Sequence, residues 1–351
     1  MEKLEIPAYL AGTIANIEEN ELARVIVEHR ERYAVQSNEG ILQAEITGNI
    51  RFSARSRSDF PAVGDWVRIT KMDSDSAIIL EVLPRNSILS RQAVGKAGEI
   101  QVIAANIDVA FIVQAVGHDF NMNRLERYLS ICNAAGIHPA MLLTKVDLVD
   151  ENELHDLKEK VKQRRPELSL LAISNENGSG LENLQNLIEP GKTYCFLGSS
   201  GVGKSTIINH LLHSDEIRTA EISVSTSKGR HTTTHRELFR LSNDSFVIDT
   251  PGMRELGMTD RGSGIEMTYD QIGELAQNCR YSDCTHSGEK GCAVIAALEN
   301  GELAEAVYEN YLKLKREQEH FASTIHDKKR EGKIFGKIVK EAVKERKKNK
   351  Y

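Results

Sequence analysis

At 351 residues and 39.2 kDa, the chain is long enough to favour two or three domains over a single core. Its 40% hydrophobic and 27% charged content matches ordinary globular proteins and excludes wholesale disorder and fibrous architecture. The net charge of −6 conceals an asymmetry: residues 313–351 carry 14 Lys or Arg against 6 Asp or Glu, a local +8 on an otherwise acidic chain. Such a segment suits contact with a phosphate backbone and equally a solvated charged helix.

No apolar run approaches eighteen residues, and the opening Met1-Glu-Lys-Leu-Glu-Ile-Pro7 lacks the basic and then apolar layout of a signal peptide. A cytoplasmic protein with no membrane partner is expected. The first ~90 residues read as five short strands: Ala11–Ala15, Ala23–Val27, Ile41–Ile46, Asp65–Ile69 and Ser76–Leu83. Five strands in this length predict a small closed barrel of the oligonucleotide-binding type. Arg51, Arg55 and Arg57, interleaved with serines, read as a loop suited either to phosphate contact or to plain exposure.

From Pro84-Arg-Asn86 onward, strands alternate with helices, the rhythm of a parallel α/β sheet. Val109–Val113 and Ala140–Leu143 read as strands buried on both faces, with a helix over Arg124–Ala135 that Gly136 ends. A polar helix near Asp150–Arg164 and strands at Leu170–Ile173, Tyr194–Leu197 and Phe246–Ile248 follow. Beyond about Thr259 the chain is helical and polar around a cysteine cluster. The expected organisation is a barrel over 1–90, a nucleotide-binding domain over 91–260, and a helical metal-binding and basic domain over 261–351.

Gly198, Ser199, Ser200, Gly201, Val202, Gly203, Lys204 and Ser205, followed by Thr206, match G-x-x-x-x-G-K-[ST] between an apolar strand and a helical run. In that context the glycines let backbone N–H groups wrap phosphates, Lys204 reaches the β- and γ-phosphates, and the Ser205 hydroxyl ligates magnesium. Phe246-Val-Ile-Asp249-Thr-Pro-Gly252 is an apolar strand ending in a carboxylate. Asp249 there can hold magnesium, and the Gly252 N–H can meet the γ-phosphate. Thr144, Lys145, Val146 and Asp147 end another strand. A carboxylate at Asp147 accepts from guanine N1–H and the N2 amine, whereas adenine has a lone pair at N1 and no N2 amine, so guanine is favoured. Lys145 would pack its stem over the base, and the strand ending at Ser174 would bring backbone to O6. A P-loop kinase or ATPase is disfavoured by the same segment.

Cys279-x4-Cys284-x-His286-x5-Cys292 offers three thiolates and an imidazole within fourteen residues, a ligand set for one structural Zn2+ per chain. Cys132 and Cys195 fall in a helix and a strand and read as small core residues.

The base-reading segment at 144 precedes the phosphate loop at 198, a cyclic permutation of the usual GTPase order. With Gly229-Arg-His-Thr-Thr-Thr234 and the cysteine knuckle, the chain resembles, over nearly its whole length, the circularly permuted, ribosome small-subunit-dependent GTPase family (ribosome biogenesis GTPase A). The resemblance implies a GTPase that binds the 30S subunit and its 16S rRNA late in maturation and is activated by that subunit. Its nucleotides would be GTP and GDP with Mg2+, and the chain would act as a monomer. It implies that Thr232, Thr233 or Thr234 is the first-switch threonine that closes on magnesium. Two positions depart from the family pattern: Thr144 stands where Asn is usual, and Asn175 where Ala follows Ser174. Loss of an amide at 144 predicts weaker guanine affinity. Met253 follows Gly252 where many GTPases place a water-orienting Gln, which predicts slow intrinsic turnover. The competing reading on the same residues is a GTP-gated RNA-binding module in which hydrolysis only resets binding.

Overall fold

The computed structural model describes residues 4–29, 32–54, 56–92, 99–213, 236–249 and 264–323. The first five strands are β1 (Leu22–His29), β2 (Arg32–Ser37), β3 (Gly40–Ile46), β4 (Trp66–Lys71) and β5 (Ser76–Val82). They pair in the order β1-β2-β3-β5-β4, and β4 returns to β1, closing a five-stranded barrel. The β3–β5 pair is parallel and the others antiparallel. Alternate inward residues, among them Val25, Val35, Leu42, Val67 and Ile79, fill its interior.

Two readings of this region are corrected. Ala11–Ala15 is no strand: Leu10, Ile14 and Ile17 recur at helical spacing and pack against Trp66 and Leu83, with the backbone in turns. The missing strand is Arg32–Ser37, whose charged approach disguised its buried Tyr33, Ala34 and Val35. Arg51 sits not in a loop but on a short helix, α1 (Gly48–Ser53), started by Thr47 accepting from Ile50 N–H, and Arg57 opens a 3-10 turn. Arg55 lies outside the described residues.

The second layer begins after a two-stranded ribbon of β6 (Ile88–Gln92) and β7 (Ile100–Ala105). Strands β8 (Val109–Ala115), β9 (His138–Thr144), β10 (Leu170–Ala172), β11 (Thr193–Gly198), β12 (Glu237–Arg240) and β13 (Phe246–Asp249) form a sheet in the order β10-β9-β8-β11-β13-β12. All its pairs are parallel except β12–β13. The helices α2 (Met122–Ala135), α3 (Glu151–Arg164), α4 (Leu181–Leu187) and α5 (Lys204–Leu212) occupy the crossovers. Asn121 and Asp150 cap α2 and α3 by accepting from Arg124 and Glu153 N–H, and Gly136 ends α2 in the left-handed conformation. Glu126, fully buried on α2, accepts a two-point bond from Arg164 on α3, so its charge is paired where water is excluded.

Strand β12 also pairs with β1, which makes barrel and parallel layer one continuous eleven-stranded sheet. Arg24 of β1 is buried at this seam. Its Nη2 donates to Thr193 Oγ1 at 2.7 Å, and its guanidinium lies 4.6 Å from the Phe246 ring and 5.6 Å from the Trp66 ring. Burial lowers its pKa to about 10, so it remains charged at neutral pH. The chain divides into two compact units, and the barrel and parallel layer belong to the first, together with α6 (Gly264–Thr268).

The second unit holds α7 (Asp270–Ala276), α8 (Ala293–Glu299) and a helix over 305–323. Tyr269 packs edge-on against Tyr311, and its hydroxyl accepts from Asn310 Nδ2 at 2.7 Å. Among the described residues no helix is long and apolar enough to cross a membrane.

Candidate functional site

Parallel pairing delivers the motif residues to one edge of the sheet. In register, Ala115 faces Thr144, Val113 faces Gly198, and Leu143 faces Ala172, so β8, β9, β10 and β11 all end at the same level. The chain leaves β8 toward β9 and leaves β11 toward β13, which makes the β8/β11 boundary the switch point where open α/β sheets bind ligands. The phosphate loop follows β11 at that boundary.

The loop cannot tolerate side chains at its ends. A Cβ on Gly198 would stand 2.3 Å from the Val113 carbonyl oxygen, and Gly203, at φ +95°, would place one 2.5 Å from Asn175 Nδ2. Ser199, Ser200 and Gly201 are half-buried or exposed while Val202 is buried and anchors the loop in the core. Lys204, Ser205 and Thr206 open α5 and are half-buried. Lys204 Nζ donates to the carbonyls of Gly198 at 2.9 Å and Ser199 at 2.6 Å, which poises its charge over the loop.

Thr144, fully buried, donates through Oγ1 to the Val202 carbonyl at 2.8 Å. The end of β9 is thereby tied to the loop that follows β11. Lys145 adopts the left-handed conformation at φ +59°, turning the chain so that Val146 is half-buried and the Asp147 carboxylate is exposed. Buried Ser174 donates from Oγ to Asp147 Oδ1 and accepts from the N–H groups of Glu176 and Asn177 at 3.1 and 3.3 Å. The hydroxyl thus orients the carboxylate and shapes its own loop. Asn175 Nδ2 donates to the Gly203 carbonyl at 3.2 Å.

Asp249 ends β13, in register with Glu237 of β12. Thr232, Thr233, Thr234, Gly252 and Met253 lie outside the described residues. One residue the motifs did not announce joins the site: Arg124, in the first turn of α2, donates from Nη1 to Ser199 Oγ at 2.9 Å. Its only sequence signal is a cation just after a capped helix start that follows a core strand.

In the second unit the metal-ligand spacing closes into a cluster. Cys279, Cys284, His286 and Cys292 bring their ligand atoms within 4.8 Å of one another. Cys279 Sγ is 3.6 Å from His286 Nδ1 and 3.9 Å from Cys292 Sγ, and Cys292 Sγ is 3.5 Å from the same nitrogen. The Ala293 N–H points at Cys279 Sγ at 3.4 Å, and the Tyr308 hydroxyl donates to the His286 carbonyl at 2.6 Å. Glu289 ties the intervening loop by accepting from Thr285, Ser287 and Gly288 N–H. Such a set can hold a metal ion. Cys132 and Cys195 stay apart from it, buried in the core, and burial pushes the Cys132 thiol up to about 12 and Cys195 well above its usual range. They are inert at neutral pH.

Comparison with known proteins places these features in context. The family model for the RsgA GTPase matches residues 82–259. A protein of Bacteroides thetaiotaomicron named small ribosomal subunit biogenesis GTPase RsgA 1 is 39% identical over 326 residues, 93% of this chain and 91% of the relative. The crystal structure of YjeQ from Thermotoga maritima is similar at a TM-score of 0.63 and 26% identity, covering 87% of this chain and 98% of that one. The crystal structure of YloQ, a circularly permuted GTPase, matches in fold at a TM-score of 0.60 and 23% identity, over 88% of this chain and 95% of its own.

Proposed function

Because the chain belongs to the RsgA GTPase family, we propose that it hydrolyses GTP to GDP and phosphate during late maturation of the 30S ribosomal subunit, binding 16S rRNA and activated by that subunit. It would act as a monomer in the cytoplasm, where those subunits mature. The observation that carries the reading is the convergence of the Gly198–Ser205 loop and the exposed, Ser174-oriented Asp147 carboxylate at one sheet edge.

In this reading the loop N–H groups and the start of α5 hold the phosphates. Lys204 exchanges its loop carbonyls for β- and γ-phosphate oxygens, while Asp147 reads the guanine edge and Lys145 covers its face. Ser205 and Asp249 would hold Mg2+, which neutralises phosphate charge when bound. Thr232, Thr233 and Gly252 would close on the γ-phosphate. Phosphoryl transfer depends mainly on positioning and charge stabilisation. With Met253 at the usual glutamine position, the subunit is expected to complete the water-orienting machinery.

The cysteine cluster fits zinc. Zn–S bonds of about 2.3 Å and Zn–N of about 2.0 Å in a tetrahedron set ligand atoms about 3.5 to 3.8 Å apart, and the three separations above span 3.5 to 3.9 Å. Four protein ligands leave no open position, so the role is structural. The division into barrel (1–90), GTPase (91–260) and zinc-binding (261–351) segments is part of the proposal, supported by the family match over 82–259.

Hydrolysis of GTP and ATP, measured with and without 30S subunits, tests the reading. GTP should be preferred and 30S subunits should accelerate it strongly, 50S subunits far less. Equal use of ATP, or no response to 30S, overturns it.

A further inference from the structure

We propose that Asn175 is a positioning residue for the nucleotide, fixing from the base side of the site the peptide that joins the phosphate loop to α5. The proposal rests on the nucleotide-site reading above. A peptide unit is planar, so its carbonyl and the following N–H turn together. The Gly203 carbonyl held by Asn175 Nδ2 therefore fixes the direction of the Lys204 N–H, and the Val202 carbonyl held by Thr144 Oγ1 fixes that of the Gly203 N–H. These are N–H groups that a phosphate would meet at the start of α5. Two side chains from the base-reading segments thus aim two successive amides of the phosphate loop.

The seat is close: only glycine at 203 leaves room for the Asn175 amide, 2.5 Å from where a Cβ would stand. The amide orientation follows from chemistry, since the opposite one would set its oxygen against the Gly203 oxygen. Asn175 is also held at a cost. Its Oδ1 is buried and has no hydrogen-bond partner among the described residues, whereas the Gly203 carbonyl keeps a second donor in Ile207 N–H at 3.0 Å. Truncating Asn175 therefore orphans no acceptor and removes one that is buried and unsatisfied. The same amide restores to the loop a brace of the kind that Thr144 supplies through a hydroxyl.

The test is titration of the full chain with a fluorescent GDP, alongside thermal melting without nucleotide. Asn175→Ala should weaken GDP binding roughly 2- to 10-fold, the range of one hydrogen bond, while the nucleotide-free melting temperature holds or rises. Asn175→Asp keeps the shape but sets an acceptor against the Gly203 carbonyl, and should bind more weakly than the alanine variant. Binding unchanged in both variants, or affinity and melting temperature falling in parallel in Asn175→Ala, overturns the positioning role. Failure of the unsubstituted protein to bind GDP would instead overturn the nucleotide-site reading.

Discussion

Asp147 and Lys204 show how one side chain can be tested for one chemical task. Asp147 is exposed and its carboxylate is oriented by Ser174. Asp147→Asn should shift preference from guanine to xanthine nucleotides, because the amide donates to a C2 carbonyl where the carboxylate accepted from an amine. Competition between GTP and XTP measures this, and unchanged guanine preference would remove the residue from the base site. Lys204 bonds the Gly198 and Ser199 carbonyls of the loop, so Lys204→Ala should keep the fold by circular dichroism yet lose at least about 100-fold in turnover, through lost charge stabilisation. At this scale fixed spacing pointed to residues that the structure brings together: the Gly198–Ser205 loop with the Thr144–Asp147 segment, and the Cys3His set. Arg124 and the contact that Asn175, noted in the sequence as a departure, makes with Gly203 were not legible, because they join residues 75 and 28 apart in sequence. The departure at Thr144, expected to cost a brace, keeps one through its hydroxyl on the Val202 carbonyl.

Element by element, legibility followed periodicity. The buried parallel strands and the capped α2 and α3 stood out as apolar runs between clear stop signals. The barrel's second strand did not, because its turn and flanks are charged, and the Leu10–Ile17 segment mimicked a strand in composition while folding at helical spacing. Arg24 is one of the residues that join these layers: a buried guanidinium beside the Phe246 and Trp66 rings and bonded to Thr193. Arg24→Ala should cost about 2 to 4 kcal/mol in urea unfolding, from lost packing and an abandoned hydrogen-bond partner. Arg24→Lys should recover only part, since an ammonium lacks the planar fork. In the second unit the corresponding element is the Cys3His cluster, which can hold a metal ion. Freshly purified protein should carry about one zinc per chain. Cys284→Ser, or a strong chelator, should strip the metal and loosen the helices around Tyr269 and Tyr311, leaving guanine nucleotide affinity within about 2-fold. Elemental analysis and proteolysis read out both, and protein free of zinc would reject the site.

For the molecule as a whole, the basic C-terminal segment begins within a helix that is packed into the second unit. From composition, 313–351 read as one basic tail, yet Leu314 and Phe321 are 2% and 5% exposed in the helix over 305–323, so a cut at 313 would open the core of the second unit rather than trim a surface. Most of the excess charge falls in residues 324–351, which carry 11 Lys or Arg against 4 Asp or Glu. Cationic segments bind nucleic acid by releasing condensed counterions, and affinity then falls steeply as salt rises. Removal of 324–351 should therefore weaken 30S binding and flatten its dependence on salt, while basal GTP turnover, which the proposed reading places on residues of the other unit, stays within about 2-fold. Sedimentation with 30S subunits across a salt series, paired with single-turnover hydrolysis by the free protein, measures both. If truncation leaves the salt slope unchanged, the phosphate contacts reside on other surfaces, with Arg51 and Arg57 of the barrel as the next residues to neutralise. If truncation slows basal turnover in step with binding, the tail acts on the nucleotide site itself rather than on RNA.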